Sequence, residues 1–119
     1  MALYLKLDQN TWVQDDYTDS ATYDLSGTVY RDNTFSTAES SLDTFSGTFR
    51  LIDQEGKQLF STDSGLTLNS DGTFTMTFAQ GKTPTISGNA KLRILLEKSG
   101  SRLTAVGVNG SDELFIEWD

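Results

Sequence analysis

The chain has 119 residues, nine basic and seventeen acidic, for a net charge of −8, and contains neither Cys nor His. Without Cys there are no disulfides and no thiolate chemistry. Without His the commonest general base and transition-metal ligand are missing, which argues against zinc, copper or haem sites and against Ser-His-Asp or Cys-His catalysis.

No run of Lys or Arg supplies the basic patch that nucleic-acid phosphates require, so no nucleic-acid partner is expected. No apolar stretch approaches the length of a membrane span. The N-terminus, Met1 to Asp8, has no basic segment followed by a long apolar one, so no signal peptide is read there. One domain, residues 1–119, fits this length.

The chain then reads as short strands separated by turns. Leu3, Leu5 and Leu7 alternate with Tyr4 and Lys6, which predicts a strand over 2–7. Asp8 to Asn10 read as a turn, and Thr11 to Gln14 as a short strand. A polar, irregular segment follows at about 15–46, crowded with Ser, Thr and Asp. Its most strand-like piece is Leu25 to Tyr30, with Leu25 and Val29 as candidate core residues. Asp32 to Thr44 reads as a long loop, the kind that is often functional.

Regularity returns at Gly47. Thr48 to Asp53 and Lys57 to Ser61 read as a strand pair around Gln54-Glu55-Gly56, and Thr62 to Gly65 as a connection. The strongest signal is Leu66 to Ala79. Leu66 and Leu68 precede a turn at Asn69 to Gly72, and Phe74, Met76 and Phe78 then alternate with Thr73, Thr75 and Thr77. Successive strand residues point to opposite faces, so the large apolar groups share a buried side. The Asp-Gly pair marks the hairpin.

Gln80 to Gly88 is a predicted loop containing Pro84. Ala90 to Lys98 and Arg102 to Val108 read as strands around Ser99-Gly100-Ser101, with a bulge expected near Ala105 where the parity slips. Asn109-Gly110 signals another turn, and Glu113 to Trp118 closes the chain. About eight or nine short strands with turns at sandwich spacing define an all-β chain with mostly antiparallel pairing, read as a β-sandwich of two sheets packed face to face, with a small β-barrel as the alternative.

Several residues could carry a site. Asp15, Asp16, Asp19 and Asp24 lie close together in the irregular segment, and a hard cation such as calcium takes carboxylate oxygens in loops. Their spacing fits no calcium-loop motif, and Asp is common in loops for its local backbone hydrogen bonds. No other metal or cofactor is expected. Trp12, Tyr17, Tyr23 and Tyr30 form an aromatic group that could stack on sugars or anchor a protein partner; packing beneath the loop is the plainer reading for any one of them. Glu113 and Glu117 share one parity of the last strand, but two carboxylates on an outward face are not a hydrolase site, and no enzyme is expected.

The cadence of Phe49 to Lys57, Ser70 to Phe78, Gly88 to Leu96 and Leu114 to Glu117 resembles the immunoglobulin-like β-sandwich modules of tailed-phage virions, notably the N-terminal domain of phage baseplate upper proteins. The resemblance covers about residues 47–118 and rests on turn-and-strand patterns. It implies a non-enzymatic structural or adaptor part that works through contacts with other protein subunits, self-association included, in a virion or the host cytoplasm. A carbohydrate-binding module using the Trp and Tyr residues, with a glycan as partner, is the alternative.

Overall fold

The computed structural model describes residues 3–14, 23–78 and 88–118. Ten strands are formed: β1 (Leu3–Leu7), β2 (Thr11–Gln14), β3 (Tyr23–Tyr30), β4 (Ser46–Ile52), β5 (Gln58–Thr62), β6 (Leu66–Leu68), β7 (Thr73–Phe78), β8 (Gly88–Lys98), β9 (Ser101–Val106) and β10 (Glu113–Trp118). Among the described residues the one helical element is a 3-10 turn at Leu42–Thr44. Among the described residues no helix is long and apolar enough to cross a membrane.

Alternation decides which side of each strand is buried. Phe74, Met76 and Phe78 of β7 are buried, with the threonines between them half-exposed. Ala90, Leu92, Ile94 and Leu96 of β8 repeat the pattern, as do Leu3, Leu5 and Leu7 of β1. These side chains form one core with Phe49 and Leu51 of β4 and Leu114 and Ile116 of β10. Each large apolar group contributes about 1.5–3 kcal/mol when fully buried, which is the main force that curls the sheet around itself.

The strands make one hydrogen-bonded sheet in the order β2-β10-β8-β9-β1-β3-β7-β6, with β4 on the other edge of β8 and β5 beyond β4. The curled sheet encloses the core as a half-barrel, with a sandwich-like pair of facing walls. Strand β8 is the seam. Its first residues, Gly88 to Lys91, pair with β10; Ile94 to Lys98 pair with β9; and β4 runs along its opposite edge.

Most pairings are antiparallel, as the short turns predict. Two are parallel, β1 with β9 and β2 with β10. Both join strands far apart in the chain, where no turn residue sets direction.

Two local expectations change. The β8–β9 ladder runs without a shift through Ala105, which is buried opposite Ile94, so no bulge lies there. Val106 is out of step with the core because it points to the other face, beside Tyr4 in the parallel ladder. The shift lies instead between β4 and β5, where Leu51 and Ile52 face Phe60 and Gln58 and leave Leu59 as the extra residue.

The segment read as a loop over 32–44 is folded. Tyr30 bridges to Ala38, Glu39 N–H donates to the Val29 carbonyl (2.9 Å), and Leu42 is fully buried in the core.

Candidate interaction surface

Two regions of the sheet contrast, the C-terminal end of β3 and the outer edge of β5. At the C-terminal end of β3 the chain covers its own strand. Arg31 N–H donates to Thr37 O (2.8 Å), closing a small loop whose organiser is Asp32. The Asp32 carboxylate accepts from the backbone N–H groups of Ser36 (3.1 Å) and Thr37 (2.9 Å) and from the hydroxyls of Ser36 and Thr34. Those donors, the Ser36 hydroxyl foremost, hold its pKa well below the usual carboxylate range.

Next to it Glu39, only 3% exposed, takes a two-pronged contact from Arg31, with Nε at 3.2 Å and Nη2 at 3.1 Å. Arg31 lowers the Glu39 pKa; burial opposes this, and the Ser41 N–H reinforces it. Arg31 in turn is raised by Glu39. The paired, hydrogen-bonded carboxylate is thus tolerated inside.

Gly72, at φ +91°, lets the hairpin between β6 and β7 approach this segment. A side-chain carbon there would lie 2.9 Å from the Ala38 Cβ and 3.1 Å from the Glu39 nitrogen.

The other region is open. Among the described strands β5 pairs with β4 alone, and β6 with β7 alone. The gap between them is bridged by side chains. Phe49, Phe60 and Phe78 form a ring cluster with centroids 5.7–6.3 Å apart. Leu66 and Leu68 lean on Gly47, where an added Cβ would come within 2.8 Å of Leu66. A groove of about 410 Å³ lies between β5 and β7, lined by Phe60, Thr62, Gly65, Met76 and Phe78 among others. Beside it Leu59 is 38% exposed. The groove thus joins a strand edge unpaired among the described strands to an apolar floor.

A third feature lies on the outer face where β8 changes partner. Asp112 sits in the fork between β9 and β10, almost fully buried, and receives Arg93 Nη1. Gly107 makes the room, since a Cβ there would overlap the Asp112 carboxyl. Arg50 lies directly across from Arg93, and its Nε is buried without a hydrogen-bond partner among the described residues.

Of the residues singled out from sequence, only some lie among the described residues, and those do not converge. Asp15, Asp16, Tyr17 and Asp19 lie outside the described residues. Asp24 is not in a loop: it is an exposed residue of β3, in register with Thr77. Among the described residues no three carboxylates, His or Cys gather where a metal could be held.

Trp12 lies on β2 and Tyr23 on β3, on strands that are not neighbours in the sheet; their side chains lie outside the described set. Tyr30 is half-buried, with its ring 5.2 Å from that of Phe35, which Lys6 also covers. Its contacts are with the folded segment, the packing reading. Glu113 is exposed and faces Lys91 across the ladder, and the Glu117 side chain lies outside the described residues.

The open β5 edge was missed. Its pattern, Gln58-Leu59-Phe60-Ser61-Thr62, reads like any return strand. One available signal was the absence of Pro and of charge within it.

No family model matches the chain, and no curated protein matches it. Among solved structures it is similar to an endo-β-1,4-mannanase from Thermotoga petrophila, with 10% identity and a TM-score of 0.47. The match covers 99% of this chain and 19% of that protein.

Proposed function

We propose that this chain is a non-enzymatic protein-binding module, a structural or adaptor part that makes its contacts along the open edge of β5. The observation that carries the reading is an edge strand with no second partner among the described strands, set beside an apolar groove. An added strand gains main-chain hydrogen bonds from the edge, and the groove receives its side chains. Native sheets normally blunt such edges with charge, Pro or a cover. Gln58 to Thr62 carry no charge and no Pro, although the bulge at Leu59 adds local twist.

The resemblance of residues 47–118 to tailed-phage virion modules supports the same class of role, as a part of a particle assembled in the host cytoplasm. A chain without His or Cys suits a role that needs no catalytic side chains.

The test is selection of displayed peptides on the folded domain, followed by hydrogen exchange of the bound complex. Extended binders that protect β5 and fail on Leu59→Pro support the reading. Binders that protect other strands, or that ignore the substitution, contradict it. Glycan-array binding in place of peptide binding would move the assignment to carbohydrate recognition.

A further inference from the structure

We infer that the partner β5 is built to accept is a second copy of itself, paired antiparallel across a two-fold axis through Phe60. This rests on the reading of β5 as the contact edge. Isologous dimers require a surface that is complementary to itself, and a strand edge meets that condition when its sequence is complementary to its own reverse.

The stretch Lys57 to Asp63 has that property. With Phe60 on the axis, Phe60 faces Phe60 of the second copy. Leu59 then faces Ser61, Gln58 faces Thr62, and Lys57 faces Asp63. A cation thus meets an anion at both ends of the ladder, and the middle is uncharged. Lys57 and Asp63 are both exposed, and neither forms an ion pair among the described residues.

Directly opposed side chains lie on the same face of an antiparallel pair. The two Phe60 rings would meet at the groove, where each already packs on Phe49 and Phe78 of its own chain. Leu59, which the bulge leaves without a partner on β4, would be covered on the outer face. Other registers lose this match. Moving the axis to Ser61 sets Leu59 against Asp63 and takes Lys57 out of the ladder.

The net charge of −8 makes long-range approach of two copies unfavourable, so association should strengthen as salt screens it, until the end pairs are screened too. One strand edge buries less than the ~1,200 Å² of a stable interface, so the dimer is weak and concentration-dependent.

Sedimentation equilibrium of the full chain tests this over about 1 µM to 1 mM. The wild type should pass from monomer to dimer. K57D alone and D63K alone each set like charges against each other at both ends and should weaken dimerisation by about tenfold or more. A mixture of the two variants should form a heterodimer of wild-type strength, because each end again joins an acid to a base. Neither site is buried, and circular dichroism of both variants checks that they fold.

A wild type that stays monomeric at the highest concentration overturns the inference. So does a dimer indifferent to both substitutions, or a mixture that fails to recover. The two readings fail separately. If the chain is monomeric while selected peptides still protect β5, self-pairing is wrong and the edge reading stands; if the peptides bypass β5, both are wrong.

Discussion

Two regions of this curled sheet contrast, the C-terminal end of the interior strand β3 and the outer edge of β5. Where β3 ends, residues 31–45 fold back, bridge Tyr30 through Ala38, drop Leu42 into the core and bury Glu39 against Arg31. Where β5 ends the sheet, no described residue extends the ladder, and side chains alone lean across the gap. The difference separates a region closed by its own chain from one that no described residue closes.

The sharpest way to break the comparison is through the shared core. Phe74 is fully buried between β3 and β6, and Phe74→Ala should cost about 3–5 kcal/mol in denaturant unfolding, collapsing both ends together. At the covered end alone, Gly72→Ala forces a left-handed backbone on Ala and pushes its Cβ against Ala38. A loss of about 1–3 kcal/mol is expected there, with hydrogen exchange rising over 31–45 and not over β5.

Arg31→Met leaves the Glu39 carboxylate buried with the Ser41 N–H as its remaining donor, and should cost about 1–3 kcal/mol at neutral pH.

Acid should act on the same end. Glu39 has a folded pKa below its unfolded one, so its contribution is complete above the ordinary Glu range near ~4.3 and is lost as pH falls through the lower folded value. The stability–pH curve of the wild type should therefore decline on the acid side, and in Arg31→Met that component of the slope should shrink. Asp32 and Asp71, held low by neighbouring hydroxyls and N–H groups, act in the same direction.

The smallest stability effect is expected at the open end. Leu59→Lys should change unfolding by no more than about 0.5 kcal/mol, yet remove association. A large loss of stability there would mean that Leu59 is a core residue and that the edge is covered.

Much of the architecture is legible in the sequence because alternation is local. Phe74, Met76 and Phe78, or Leu3, Leu5 and Leu7, announce both a strand and its buried face within six residues. What is not legible depends on partners distant in the chain. The parallel contacts of Leu3 with Ala105 and of Ile116 with Trp12 have no local signature. Leu42 lies in a polar stretch whose few apolar residues show no strand alternation, and the hydrogen bonds around Asp32 and Glu39 help explain how it reaches the core. The candidate surface was hidden for the same reason. Whether β5 is an edge or an interior strand is settled by what lies beside it, not by Gln58 to Thr62. The aromatic and acidic residues that caught attention, Tyr30 and Asp24, owe their prominence to composition. The first packs on Phe35, and the second is an ordinary outward residue of β3.

The most direct test of the open edge is amide hydrogen exchange at two protein concentrations. In dilute solution the amides of β3, β7 and β8 should be strongly protected, and β5 amides on the side away from β4 should exchange quickly. On concentration, protection should appear at the edge-facing amides flanking Phe60 while the rest of the sheet is unchanged. If β5 is as protected as β7 in dilute solution, or stays unprotected at high concentration, the claim that this edge is a contact surface is contradicted.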